Sequence, residues 1–194
     1  GFETVISEDT NKSILDAGVK YCVDEACMPV KIFHGHVASI KDKCDVIVIP
    51  RIMQLWKNEY ICPKFCGLPE MVVNSFSDFP TAITEPVYAT SQKKLYKWAK
   101  SAGKYLGKKN DEIRLAFIKA LNAQKAYKEG IFDKGYEINV ALTGHPYNIY
   151  DSFSNMNLVK KLNNLGIGVV TSEFTMEDVL LAEAKKLYKK PFWT

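Results

Sequence analysis

Five cysteines, Cys22, Cys27, Cys44, Cys62 and Cys66, are the residues of this 194-residue chain best suited to chemistry. Their odd number, with no secretory signal ahead of them, argues against a disulfide framework. Cys44 stands just before an apolar run and reads as a small core residue. Cys22 falls between a helical stretch and an acidic loop, with nothing to distinguish it. Cys27 and Cys62 differ. Cys27 lies in Glu25-Ala26-Cys27-Met28-Pro29, where the proline marks the first turn of a helix. A thiol there faces unpaired amides and the positive end of the helix dipole, which favours the thiolate. Cys62 lies in Tyr60-Ile61-Cys62-Pro63-Lys64-Phe65-Cys66-Gly67, a loop following a strand-like run. In open α/β sheets, loops at the carboxyl ends of strands build the ligand crevice. Thiolates from two such loops could serve one iron–sulfur cluster. The Cys62-x3-Cys66 spacing is not that of a zinc knuckle, and no histidine follows at ligand distance. Local pattern leaves metal binding and purely structural thiols both open.

Two other constellations carry polar chemistry. In Lys31-Ile32-Phe33-His34-Gly35-His36, the histidines lie two apart on a helix and point about 200° apart, so they cannot share a metal. Lys31 and His34 share one face behind Cys27, placed either to line the same crevice or to sit in an ordinary helix. Thr143-Gly144-His145-Pro146-Tyr147, followed by Tyr150-Asp151, sits where a strand hands over to a helix. Gly144 permits close backbone approach, and amides beyond the proline could hold an anion. The segment lacks the glycines of a dinucleotide fingerprint and the lysine of a phosphate-binding loop. No nucleophile elbow is present either.

The elements that must position these residues form three zones. Residues 1–90 alternate β-branched runs at 2–6, 45–49 and 82–88 with helical stretches at 10–19, 29–41 and 68–76. Residues 91–135 show only helical periodicity, with Lys93, Lys94, Lys97, Lys100, Lys104, Lys108 and Lys109 on the polar faces, read as a solvated surface. Residues 136–194 form a second α/β unit. Its strands are expected at 137–143 and 168–172, with helices at 156–165 and 175–188. Gly166 is expected to close the first helix in a left-handed conformation, and Thr175 to cap the second. The fold class is α/β, with Rossmann-like parallel-sheet units in three α/β/α layers joined by a helical connector.

Composition sets the outer limits. Hydrophobic residues make up 47% and charged residues 25%, as in globular proteins, and no apolar run is long enough for a membrane helix. A net charge of +4 is too mild to mark a nucleic-acid binder. These features predict a cytoplasmic protein that binds neither nucleic acid nor membrane. The terminal Phe192-Trp193 pair would leave apolar surface uncovered, so the chain is expected to be a piece of a longer protein.

Taken in order, Val23-Asp24-Glu25-Ala26-Cys27-Met28-Pro29-Val30-Lys31, His34-Gly35-His36-Val37, Asp45-Val46-Ile47-Val48-Ile49-Pro50-Arg51 and Glu59-Tyr60-Ile61-Cys62-Pro63-Lys64-Phe65 with Gly67-Leu68-Pro69 closely resemble the acyl-CoA dehydratase activase-related proteins. Leu142-Thr143-Gly144-His145-Pro146-Tyr147 with Asp151 is similar to that family's second signature. The family is related to the catalytic subunits of 2-hydroxyacyl-CoA dehydratases and benzoyl-CoA reductases. Those are iron–sulfur proteins of anaerobes, built from Rossmann-like domains and reduced by an ATP-hydrolysing activator. The resemblance implies that Cys27 and Cys62 are ligands of a [4Fe–4S] cluster, with Cys66 ranked below them because many relatives carry an apolar residue there. It also implies a further cysteine beyond the Phe192-Trp193 region and an amino-terminal segment ahead of Gly1. A cluster would therefore be incomplete in this chain alone.

Three functions follow as expectations. The first is a component of ATP-activated electron transfer or radical dehydration of an acyl-CoA, hence a possible lyase or activase-related protein. Lys31, His34, Gly144, His145, Pro146, Tyr147 and Asp151 would then contact substrate or anion, and an activator domain or subunit would be the partner, in a homo- or hetero-dimer. The second is a non-catalytic iron–sulfur scaffold or electron carrier. The third is an α/β small-molecule binding module whose cysteines are structural.

Overall fold

The computed structural model describes residues 1–57, 61–127 and 129–174, together with Ala182, Glu183 and Lys186. It divides into two compact units, Gly1–Ala126 and Tyr127–Pro191.

The first unit opens with two helices, α1 (Lys12–Tyr21) and α2 (Met28–Ile40). Asn11 starts α1, its side-chain oxygen accepting the Ile14 amide at 3.1 Å. The two helices meet at their glycines. A Cβ on Gly18 would lie 1.8 Å from the Lys31 carbonyl oxygen, and one on Gly35 would lie 1.8 Å from that of Ile14. Only hydrogen fits at either position. A 3-10 turn, Lys41–Lys43, then leads into β1 (Val46–Val48).

Pro50 has no amide to donate and interrupts the ladder, so the strand resumes as β2 (Arg51–Gln54). After α3 (Pro63–Cys66) and α4 (Leu68–Val73), the chain returns as β3 (Thr81–Ile83) and β4 (Pro86–Tyr88). Here β3 pairs in parallel with β1, and β4 with β2. The Ile49 amide donates to the Ile83 carbonyl at 2.9 Å and bridges the break. Val30 and Val37 of α2, Ile47 and Ile49 of the strand, and Leu68, Val72 and Phe76 form one buried cluster. The unit ends in two helices, α5 (Gln92–Tyr105) and α6 (Asn110–Ala126), in contact through Tyr96 and Phe117 with ring centroids 5.1 Å apart.

The second unit is a β-α-β arrangement. β5 (Ile138–Leu142) leads into α7 (Pro146–Tyr150) and α8 (Leu158–Asn164), and β6 (Ile167–Thr171) pairs with β5 in parallel. Gly166 closes α8 at φ +76°, as its position in the sequence predicts. A second 3-10 turn, Ser172–Phe174, follows β6.

Parallel strands with intervening helices establish the α/β class. The expected strand at 2–6 is corrected: these residues carry no regular structure, and Phe2 and Ile6 are 59% and 82% exposed. A β-branched pattern becomes a strand only where a neighbour accepts its backbone hydrogen bonds, and among the described residues none does. The 82–88 run divides into β3 and β4, opposite the break at Pro50. The helix expected at 156–165 starts two residues late because Met156 and Asn157 adopt positive φ. The expected helix at 175–188 and its Thr175 cap lie largely outside the described residues, as do Glu59 and Tyr60 of the Cys62 motif. Ala182, Glu183 and Lys186 are helical.

The glycine crossing is directly testable. Gly18→Ala and Gly35→Ala are each expected to lower stability by about 3 kcal/mol through overpacking against backbone that cannot retreat. Gly67→Ala, whose Cβ would meet nothing closer than the Pro63 carbonyl oxygen at 3.7 Å, is expected to change it by under about 0.5 kcal/mol. Urea unfolding of the three variants measures the difference.

Candidate functional site

Cys27 and Cys62 occupy equivalent positions. Each is the N-cap of a helix with proline in its first two residues, α2 for Cys27 and α3 for Cys62. The Cys27 carbonyl accepts the amides of Val30 and Lys31 at 3.0 and 3.2 Å, and the Cys62 carbonyl accepts those of Phe65 and Cys66 at 2.9 and 3.2 Å. Neither thiol caps its helix, so both sulfurs remain available. Cys27 is exposed, Cys62 is half-buried, and neither is in a disulfide.

α2 packs on the core cluster through Val30 and Val37. Ala26 and Phe65, neighbours of the two loops, both pack against the common cluster. Arg51, at the start of β2, is ion-paired with Glu70 of α4 and ties that helix to the strand.

The remaining cysteines are placed differently. The Cys66 thiol is directed at the Ile52 carbonyl, 3.9 Å away. The Cys44 thiol donates to the Ile40 carbonyl at 3.4 Å, and burial, reinforced by the charges of Asp45 and Asp42, pushes it above the ordinary thiol range. Cys22 packs against the core cluster.

Lys31 and His34 part company. The Lys31 ammonium donates to the Asp24 carbonyl at 2.7 Å, bracing the loop that carries Cys27. His34 is only 1% exposed, and its Nδ1 donates to the Val30 carbonyl at 2.8 Å. The other side of this residue borders a cavity shared with Cys22, Tyr21 and Asn74. The sequence pairs these two residues by helical spacing; the depth of His34 comes from the elements packed on α2.

In the second unit His145 repeats the N-cap-and-proline device. Its carbonyl accepts the amides of Asn148 and Ile149 at 2.8 and 3.2 Å. Pro146 opens α7. The His145 ring stacks on Tyr147, with centroids 5.3 Å apart and planes 19° from parallel. Gly144 has φ +157°, and a Cβ there would meet only Ile149, at 3.8 Å. Asp151 Oδ1 accepts the amides of Phe153 and Ser154 at 2.9 and 3.0 Å, an Asx turn that ends α7. Tyr150, not among the expected site residues, donates to the buried Thr171 hydroxyl at 3.3 Å; burial raises its phenol above the usual range.

A family model described as CoA enzyme activase uncharacterised domain (DUF2229) matches residues 1–175. The chain belongs to this family. The match runs through the Cys27, Cys62 and 144–147 segments and agrees with the resemblance those motifs carry. No curated protein and no solved structure matches the chain. Among the described residues no helix is long and apolar enough to cross a membrane. Among them, too, no three His, Cys, Asp or Glu side chains come together as a metal site.

Thiol environments predict an order of reactivity. Iodoacetamide at neutral pH is expected to label exposed Cys27 first and Cys44 last, because a raised thiol pKa leaves less thiolate at a given pH. Peptide mass spectrometry over a time course reads the order. Labelling of Cys44 before Cys27 would contradict the placement of both.

Proposed function

We propose that this activase-family chain supplies Cys27 and Cys62 as ligands of a [4Fe–4S] cluster in an ATP-activated electron-transfer or dehydration system acting on an acyl-CoA. The observation that supports this reading is the matched pair of uncapped N-cap thiols, each ahead of a helix that opens on proline. The donor set suits such a group in chemistry, since thiolates are its usual ligands. Two thiols are fewer than a cluster needs, so the remaining ligands come from outside the described residues. When bound, the cluster supplies a site that accepts and hands on one electron.

The chain's own residues prepare the Cys27 loop. Lys31 holds the loop through the Asp24 carbonyl, which keeps the Cys27 sulfur in place before any partner arrives. Gly144, His145, Pro146, Tyr147 and Asp151 are the surface for anion or acyl-CoA contact, and Asp151 Oδ1 also holds the turn that follows α7. The partner in this reading is an ATP-hydrolysing activator, as a domain or a subunit.

Anaerobic reconstitution of the full-length protein that carries this chain tests the proposal. Cys27→Ser and Cys62→Ser are each expected to reduce bound iron and acid-labile sulfide at least fivefold, with Cys44→Ser unchanged. Full iron retention in both single variants would sink the cluster assignment and favour a binding module with structural thiols.

A further inference from the structure

The cavity beside His34 is lined by none of the residues assigned to the cluster or to the 144–147 surface. Tyr21 and Cys22 at the end of α1, His34 on α2, and Met71 on α4 form its wall, and it is open to solvent. Nothing in the sequence distinguishes Cys22. The packing does.

His34 fixes what this wall can hold. A carbonyl oxygen only accepts, so the 2.8 Å contact with Val30 puts the ring proton on Nδ1 and leaves Nε2 as a bare lone pair. The residue is 1% exposed, yet Nε2 has no partner among the described residues and is not sealed from the cavity. Histidines that bind metal are held in this way: the carbonyl fixes tautomer and ring plane and makes the other nitrogen more basic.

The helix crossing brings a thiol to that nitrogen's side. Gly18 faces Lys31 and Gly35 faces Ile14, so α1 and α2 run antiparallel and the end of α1 lies beside the start of α2. By leaning back to Val30, the His34 ring carries Nε2 toward that end, where Cys22 stands. The Cys22 thiol is in no disulfide. Met71 adds a thioether on an unbranched side chain that can adjust its reach.

The neighbours decide the class of ligand. Ser75 Oγ spends its proton on the Met71 carbonyl at 2.6 Å, so it has none to give Nε2. No carboxylate is among the described lining residues, which leaves Mg²⁺ and Ca²⁺ without the oxygen ligands they need. Lys20 stands at the rim, its ammonium 5.8 Å from the Tyr21 ring centre, and opposes a doubly charged ion more than a singly charged one. Thiolate, thioether and imidazole together suit a soft monovalent cation, Cu(I).

We propose that Cys22, His34 and Met71 form a binding site for a single Cu(I) ion. Binding exchanges a proton for the ion. The Cys22 S–H bond breaks, the proton leaves to water, and copper takes the thiolate, the Nε2 lone pair and the Met71 sulfur while remaining Cu(I). The site shares no residue with the cluster assignment, so either can fail without the other.

Cu(I) alone is the probe, titrated anaerobically into the full-length protein against bicinchoninate, whose copper complex is coloured. Cys27→Ser and Cys62→Ser are built into the background, so that those thiols cannot compete. One Cu(I) per chain is expected to be withdrawn from the dye. Cys22→Ser is expected to weaken binding about a hundredfold, and His34→Gln and Met71→Leu about tenfold each, with Cys44→Ser unchanged. Circular dichroism checks that each variant is folded, and Met71→Leu, close in volume, serves where the histidine variant is not. X-ray absorption is expected to show nitrogen together with sulfur around copper. Binding that survives Cys22→Ser, or no binding in the parent, would overturn the proposal. Parental affinity in both His34→Gln and Met71→Leu would reduce the site to a lone thiol and overturn it equally. Displacement of Cu(I) by an equal concentration of Zn²⁺ would overturn the assignment to a soft monovalent ion.

Discussion

Backbone-to-backbone contact between α1 and α2, at Gly18 and Gly35, is the constraint from which the first unit is built. Because each glycine Cα abuts a carbonyl of the other helix, the two axes cannot slide or separate without opening a void along the whole crossing. That contact leaves the opposite face of α2, with Val30 and Val37, to cover the strand. It also sets the height of α2 along β1, and hence the position of Cys27 at its amino end. The loop carrying Cys62 is fixed from the other side, by the Arg51–Glu70 ion pair and by Leu68 and Val72 in the same cluster. Two loops distant in sequence thus flank one core.

The same local device recurs at three points: an N-cap with extended backbone, a proline in the next two residues, and a cap carbonyl that accepts the helix's first internal amides. Cys27, Cys62 and His145 all stand in it. Proline fixes the entry angle and removes an amide that would lack a partner. The cap side chain is then free of structural duty. Such positions are inexpensive to furnish with reactive residues, because exchanging the side chain disturbs no hydrogen bond of the helix.

Charge is distributed as unevenly as chemistry. The cysteine-bearing α/β portion holds a mixed surface, whereas α5 and α6 concentrate a formal +8 around an apolar interior. The lysines read as a solvated face when the helices are considered singly. Side by side, the same helices border an open apolar groove, and its lining combines residues that periodicity alone assigns to a core.

Much of this was legible from the chain. Helical periodicity, Pro29, Pro146 and Gly166 set several element boundaries because capping and turn chemistry are local, whereas the Asn11 cap and the short helix after Cys62 emerged only in the structure. The α/β class followed from their alternation, and the exceptional loops of Cys27 and Cys62 from the prolines beside them. Other features required neighbours. The β-branched run at 2–6 failed to become a strand because strand formation depends on a partner's hydrogen bonds, which no property of the run itself supplies. Pro50 divided one strand into two, and its effect on the opposite strand appeared only in the pairing. Helical spacing put His34 on one face with Lys31, but its depth became visible only with the elements packed on α2, as did the turn that Asp151 Oδ1 holds. Local sequence determined which residues could cap, turn or react; long-range packing decided which of them stayed accessible, since burial and strand pairing are properties of the surroundings and not of the residue.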